Sequence, residues 1–299
     1  MKTVIEKLKN VDLKKLLRIA IQLLFLIRMP SAFTAAFSGV KYLFTQLGMG
    51  EPFVLTSFLA VLLVLLAYTI VFGRFFCGYA CFFGTFNDWV HEAYLLICRW
   101  FRYKPHQIGE KQGKAFASIK YVILVLICLL CYWGLWERTR GMSPWEVFSM
   151  ISAGRFDLAG YGFGIAFLFI IFLGVVFTDR FFCRFFCPMG AVFSLMPVLP
   201  FFSLHRKKTD CIKGCKACTK TCPSCVELPD DGSIDVSGDC FWCQRCIGSC
   251  TVLKLRKKKG LEARSNISCG ISGLQGDELW FTLLRAVLLY AAMLIAGVS

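Results

Sequence analysis

The chain has 299 residues, 57% of them hydrophobic, with 30 phenylalanines, 17 cysteines and a formal net charge of +15; its mean hydropathy is +0.62. That composition excludes an average water-soluble domain and belongs to a protein that meets lipid. Seventeen cysteines are too many for an ordinary membrane protein, which leaves a disulfide-rich exported protein or a thiolate-rich metal protein facing a reducing compartment. Nucleic acid would suit the charge, but the orientation of membrane spans accounts for it better, so no nucleic-acid partner is expected.

The N-terminus is basic, yet no small-residue cleavage site follows its apolar stretch, and it is expected to be retained. Leu16 to Phe44 is apolar but carries Arg28, Pro30 and Lys41, which predicts a helix broken or tilted after Arg28. Phe53 to Gly73 holds no charge over 21 residues, about 30 Å as a helix and enough to span. Tyr121 to Trp136 and Ala159 to Thr178 follow as further spans. Trp280 to Val298 carries Arg285 one turn from its start, where the side chain would snorkel towards the interface; spanning competes there with an amphipathic surface helix.

Charge orients these spans. Six Lys/Arg lie in the first 18 residues, six between Arg99 and Lys120 and fifteen between Arg180 and Arg264, against three in the Glu137–Asp157 loop. The positive-inside rule then puts the N-terminus and the Arg180–Arg264 region in the cytoplasm of a multi-pass cell-membrane protein. The second and fourth spans run the same way, each preceded by a helix running the other way. The expected fold is an all-α polytopic membrane protein of about five transmembrane helices in two parallel hairpin repeats, with a small α+β ferredoxin-like domain on the cytoplasmic side. Residues 1–200 form the transmembrane part, 201–270 the ferredoxin-like part and 271–299 a terminal helix.

Each of those two spans ends in a near copy of one string: RFFCGYACFFG from Arg74 and RFFCRFFCPMG from Arg180, 106 residues apart. Cys77 and Cys81 are four apart, as are Cys183 and Cys187, a spacing that puts both sulfurs on one face of a helix. Two such pairs brought together by a pseudo-twofold axis supply the four thiolates of a [2Fe–2S] or [4Fe–4S] cluster at the membrane edge. Zinc would also accept four sulfurs, and small thiols can simply pack helices. The duplication with matched flanks, Arg-Phe-Phe before and Gly three residues after, favours the cluster. Arg74 and Arg180 serve as interface anchors by default; beside a cluster their charge would favour its reduced form. Pro188 follows Cys187, whereas Phe82 follows Cys81, so the two halves are not equivalent.

After Pro200 the chain turns polar, basic and cysteine-rich, with turn signals at Pro229–Gly232 and Ser237–Gly238. CIKGCKACTKTCP supplies Cys211, Cys215, Cys218 and Cys222, and CFWCQRCIGSC supplies Cys240, Cys243, Cys246 and Cys250. The second run has the spacing of a two-cluster ferredoxin, in which the fourth cysteine of each run serves the other cluster. That rule assigns Cys211, Cys215, Cys218 and Cys250 to one [4Fe–4S] cluster, and Cys240, Cys243, Cys246 and Cys222 to the other. The first run has one extra residue between its first two cysteines, and Thr251 stands where proline usually follows the last. Cys225 is a spare; Cys98, Cys128, Cys131 and Cys269 are unassigned, the pair in the third span reading as packing residues.

On these motifs the chain resembles the NapH/NosR-type membrane ferredoxins, a group that includes a quinol dehydrogenase subunit of periplasmic nitrate reduction and related polyferredoxin membrane proteins. The likeness runs from about Leu17 to Val252 and rests on the four cysteine motifs; the missing proline after Cys81 and the terminal Trp280–Val298 span depart from it. The resemblance implies electron transfer between a quinone pool or cytoplasmic carrier and a redox partner, a flavoprotein or metalloenzyme subunit of a membrane complex.

No hydrolytic constellation is present, and His91, His106 and His205 have no metal-ligand spacing. Asp88, His91 and Glu92 could relay protons to a quinone, against the plainer reading of a solvated helix face. The Arg256–Lys259 run reads as a lipid-facing basic patch or as a dock for an acidic carrier. The expected role is an electron-transfer subunit, unlikely to catalyse alone. The alternatives are an accessory or assembly protein that reduces or matures a metalloenzyme, and a redox sensor, which the lack of an output domain disfavours.

Overall fold

The structure, a computed structural model, describes residues 13–103, 110–139, 141–152, 154–157, 159–200, 202–206, 211–224, 226, 238–260, 265–269 and 279–297. Cys225 and the turn signals at 229–232 lie outside the described residues, as do the first twelve residues, His106, and the side chain of Cys269.

Helix α1 (Leu13–Arg28) stops before Pro30, and α2 (Ala32–Met49) departs from it at 61°, the break expected where proline denies the helix a hydrogen bond. α2 pairs with α3 (Ser57–Phe72), whose N-terminus is capped by the Thr56 hydroxyl accepting from Leu59 N–H. Gly39 lets α2 approach the Phe58 carbonyl, and a Cβ there would strike it. A π-helical turn (Phe76–Ala80) then leads into α4 (Phe82–Trp100). After α5 (Glu110–Ala117) come α6 (Ile119–Tyr132), a 3₁₀ turn (Trp136–Thr139) and α7 (Pro144–Ser152). α8 (Gly162–Phe177), α9 (Phe181–Phe185) and α10 (Pro188–Leu195) repeat the course of α3, the π-helical turn and α4.

The internal repeat is longer than a hairpin. At the 106-residue offset α6 corresponds to α1, α7 falls within α2, and α8 corresponds to α3. An aromatic core joins them: Phe83 of α4 stacks on Phe148 of α7 at 4.0 Å and on Phe182 of α9 at 4.8 Å.

Among the described residues one helical stretch, Ala115–Tyr132, is long and apolar enough to cross a bilayer, and the bent α1–α2 pair passes the same test as one unit. α3, α8 and the terminal helix α14 (Leu279–Ile295) are apolar but 16, 16 and 17 residues long. At about 24 Å or slightly more they are shorter than the spans expected from hydropathy. They nevertheless present Phe163, Phe167, Phe169, Val287 and Ile295 outward. Helices apolar on both faces and bare on one suit an apolar solvent.

The remainder is a small lobe. Strand β1 (Leu204–Arg206) pairs antiparallel with β2 (Ile267–Cys269), Leu204 opposite Cys269. Between them lie α11 (Ala217–Thr221), α12 (Arg245–Ser249) and α13 (Thr251–Lys258). α14 returns to pack on α3 and α1.

Candidate metal centres

The two strings after α3 and α8 fold alike, but not as one continuous helix. In each copy the first cysteine sits in a short turn and the second begins the next helix: Cys77 in the π-helical turn with Cys81 as N-cap of α4, and Cys183 in α9 with Cys187 as N-cap of α10. Cys81 N–H donates to Phe76 O at 2.8 Å, and Cys187 N–H donates to Phe182 O at 2.9 Å, the same bond at the 106-residue offset. The conserved offset of the glycines has a steric cause. A Cβ at Gly84 would collide with the Cys77 carbonyl oxygen, and one at Gly190 would lie 3.0 Å from the Cys183 carbonyl oxygen. Gly190 N–H also donates to Cys187 Sγ at 3.2 Å. Each second cysteine therefore sits at the N-terminus of a helix, whose N–H groups offset part of what burial costs its thiolate.

The pairs meet. Cys81 is within electrostatic reach of Cys77 and Cys183, Cys187 of all three others, and Cys183 of Cys77. All four are buried.

Arg74 and Arg180 are not interface anchors: their exposures are 1% and 0%. Each crosses to the other repeat. Arg180 donates to Cys77 O at 2.7 Å and grips Asp88 on α4 through Nε at 3.0 Å and Nη2 at 2.7 Å. Arg18 on α1 completes that pair at 2.6 Å. In the mirror position Arg74 donates to Ser194 on α10 at 3.0 Å, and Lys120 on α6 donates to the same hydroxyl at 2.7 Å. Asp88 and Ser194 are 106 residues apart. The second repeat thus has a hydroxyl where the first has a carboxylate.

In the lobe, burial pushes the Cys246 thiol well up, and the thiols of Cys243, Cys240, Cys222 and Cys218 add to that shift. Cys218, Cys222, Cys240, Cys243 and Cys246 line one small hollow together with Phe241, Trp242 and Ile247. Its loop takes left-handed backbone at Trp242 (φ 54°) and Gln244 (φ 59°), a costly conformation for a bulky residue. Trp242 is held in it: its N–H meets Cys240 Sγ at 3.4 Å and its ring lies 3.8 Å from the Arg285 guanidinium. The other sulfurs sit close by. Cys215 bonds the hydroxyl of Thr251, the residue after Cys250, at 3.4 Å, and this bond holds the Cys215 thiol below its usual range. Cys218 accepts from Arg206 at 3.5 Å and Cys211 from Asn266 at 3.6 Å.

These donors fit iron–sulfur clusters. Among the described residues no three Cys, His, Asp or Glu side chains crowd onto the point a single ion would occupy. Four thiols that interact around a shared space are the donor set of an iron–sulfur cluster, and of zinc as well.

Other expectations fare differently. Asp88, His91 and Glu92 do not form a chain: Asp88 is buried under arginines, His91 Nδ1 lies 3.2 Å from Val175 O on α8, and Glu92 is exposed. Arg285 does not snorkel. It is 1% exposed among the rings of Trp242, Phe281, Phe72 and Phe202, because α14 docks its first turns on the lobe. Cys131 packs towards α2 with Thr45 as partner, and Cys98 is buried at the end of α4. Sequence reasoning missed Asp239, Ser194, Lys120 and Phe241; extending the 106-residue offset beyond the cysteines would have found Ser194.

A family described as a 4Fe-4S binding domain matches residues 54–104 and 161–208, one match on each repeat and about a third of the chain together. Protein NirI of Paracoccus denitrificans is 29% identical over 222 residues, 70% of this chain and 30% of its own. Regulatory protein NosR of Pseudomonas aeruginosa is 26% identical over 217 residues, 71% of this chain and 28% of its own. The methylamine utilization ferredoxin-type protein MauN of Paracoccus denitrificans is 27% identical over 199 residues, 64% of each chain. The chain therefore spans less than a third of NirI and NosR. No solved structure matches. With 4Fe-4S matches on both duplicated motifs and relatives of this kind along most of its length, the chain is similar to the NapH/NosR-type membrane ferredoxins.

Proposed function

We propose that the protein is a multi-pass membrane electron carrier with three iron–sulfur clusters. Cys211, Cys215, Cys218 and Cys250 hold one [4Fe–4S] cluster, and Cys240, Cys243, Cys246 and Cys222 hold the second. Cys77, Cys81, Cys183 and Cys187 hold a third, [4Fe–4S] or [2Fe–2S], where residues 1–200 leave the bilayer. The meeting of the duplicated cysteine pairs, every one within electrostatic reach of the others, carries this reading. Bound clusters supply one-electron transfer; the chain supplies position and electrostatics. Arg74 and Arg180 place buried positive charge beside the membrane-edge sulfurs and so favour added negative charge there. The N–H bonds to Cys187 and Cys240 act in the same sense.

The positive-inside rule puts the N-terminus and residues 201–270 on the cytoplasmic side, with residues 271–299 as a terminal span. The partners are a cytoplasmic electron carrier, a quinone or flavoprotein, and a metalloenzyme system; two-electron chemistry belongs to them. A second reading is that the same carrier reduces or matures a metalloenzyme without being its subunit. Stable copurification with a flavin or metal subunit supports the first reading, and transient association during biogenesis the second.

The test is iron and acid-labile sulfide content, with electron paramagnetic resonance, on protein purified anaerobically in detergent. Three clusters are expected, falling to two in Cys77→Ser/Cys183→Ser. An unchanged spectrum and iron count in that double variant overturns the membrane-edge assignment.

A further inference from the structure

We infer that Asp239 and Phe241 are the seat that fixes the cysteine-rich lobe on the duplicated motif, at the place where the second repeat lacks an acid of its own. Asp88 serves the first repeat as the buried partner of Arg180 and Arg18. Its counterpart, Ser194, has no charge, yet Arg74 and Lys120 converge on it as Arg180 and Arg18 converge on Asp88. The missing carboxylate comes from the lobe. Asp239 accepts from Ser194 at 2.9 Å and from Lys120 at 3.0 Å, and lies 3.6 Å from Arg74. Among the described residues Asp239, itself 45% exposed, brings the acid from outside the repeat to two cations held there at 1% and 5% side-chain exposure.

Two residues later the Phe241 ring enters between the two arginines, its centroid 4.6 Å from the Arg74 guanidinium carbon and 5.0 Å from that of Arg180. Each repeat contributes one cation to the same ring, and the aromatic face answers both. Glycines make room on either side: a Cβ at Gly78 would strike the Phe241 carbonyl oxygen, and one at Gly73 would lie 2.7 Å from Trp242 Nε1. Because Cys240 stands between Asp239 and Phe241, and Cys243 two residues on, the seat sets how far the Cys240/Cys243/Cys246 group lies from the membrane-edge cysteines. Arg180 is already within electrostatic reach of both Cys183 and Cys243. The importance of that separation rests on the electron-carrier reading; the seat itself does not.

The experiment is hydrogen–deuterium exchange over residues 238–250 in the full chain in detergent, with iron and sulfide content read on the same samples. Asp239→Asn and Phe241→Leu are expected to raise exchange there at least tenfold, whereas Phe241→Tyr, which keeps an aromatic face, stays within twofold of the parent. Ser194→Asp added to Asp239→Asn restores a partner for Arg74 and Lys120 and recovers thermal stability, but leaves 238–250 unprotected. Parental exchange in both Asp239→Asn and Phe241→Leu overturns the proposal, as does reprotection of the segment by Ser194→Asp. A protected segment in protein devoid of clusters refutes the electron-carrier reading and leaves the seat standing.

Discussion

Replacing Asp88 by asparagine separates a structural role from a proton-carrying one. The carboxylate takes two bonds from Arg180, at 3.0 and 2.7 Å, one from Arg18 at 2.6 Å and one from Gln22 at 3.1 Å, with Arg245 at 3.4 Å. Its side chain is 6% exposed and that of Arg180 is 0%. Asparagine keeps the shape but leaves three guanidiniums around a neutral amide. Breaking a buried ion pair from one side costs about 3–5 kcal/mol, because the surviving charge is desolvated without compensation. At roughly 2–4 °C per kcal/mol for a chain of this size, the midpoint falls by on the order of 10 °C. The assay is thermal unfolding in detergent, with Glu92→Gln, one turn away and exposed, as the control that moves by less than about 0.5 kcal/mol. The double variant Asp88→Asn/Arg180→Met removes both charges and recovers part of the loss, a coupling on the order of 1–3 kcal/mol. An Asp88→Asn protein with the parental midpoint would falsify the ion-pair account and revive Asp88 as a titrating group.

Other outcomes follow from the same geometry. Gly84→Ala forces a methyl against the Cys77 carbonyl and is expected to cost about 1–3 kcal/mol and the membrane-edge cluster; Gly190→Ala, whose nearest contact is 3.0 Å, is milder, and equal cluster loss in both argues against the carbonyl contact as cause. Burial alone would raise the Asp239 carboxyl, but Lys120 and Arg74, with Ser194, hold it below its ordinary value. Protection of 238–250 by this group is therefore complete above about pH 4, the unfolded value, and fades only as pH drops through the lower folded one. Loss of protection between pH 6 and 8 would point to a different group. Arg285→Met removes the cation over Trp242 at 3.8 Å and is expected to free α14 from the lobe, read as a red shift and quenching of tryptophan emission; an unchanged emission spectrum counts against that docking.

Local pattern determined much of this protein. Uncharged runs marked the apolar helices, Pro30 marked the break between α1 and α2, and cysteine spacing with a 106-residue repeat marked three candidate thiolate groups. Each signal is carried by residues near one another in the chain, where helix period and ligand spacing act directly. Pairing across the repeats was not legible, because it depends on which side chains meet once the two repeats pack together. Arg74 and Arg180 read as interface anchors and proved to be buried cross-links; Arg285 read as a snorkelling residue and proved to lie under Trp242. Ser194 looked like any helix serine until Asp88 was seen in its mirror place. Only the tertiary structure decided that the lobe's own Asp239 fills that gap, since a buried cation must find its counter-charge in space, wherever the chain happens to provide one.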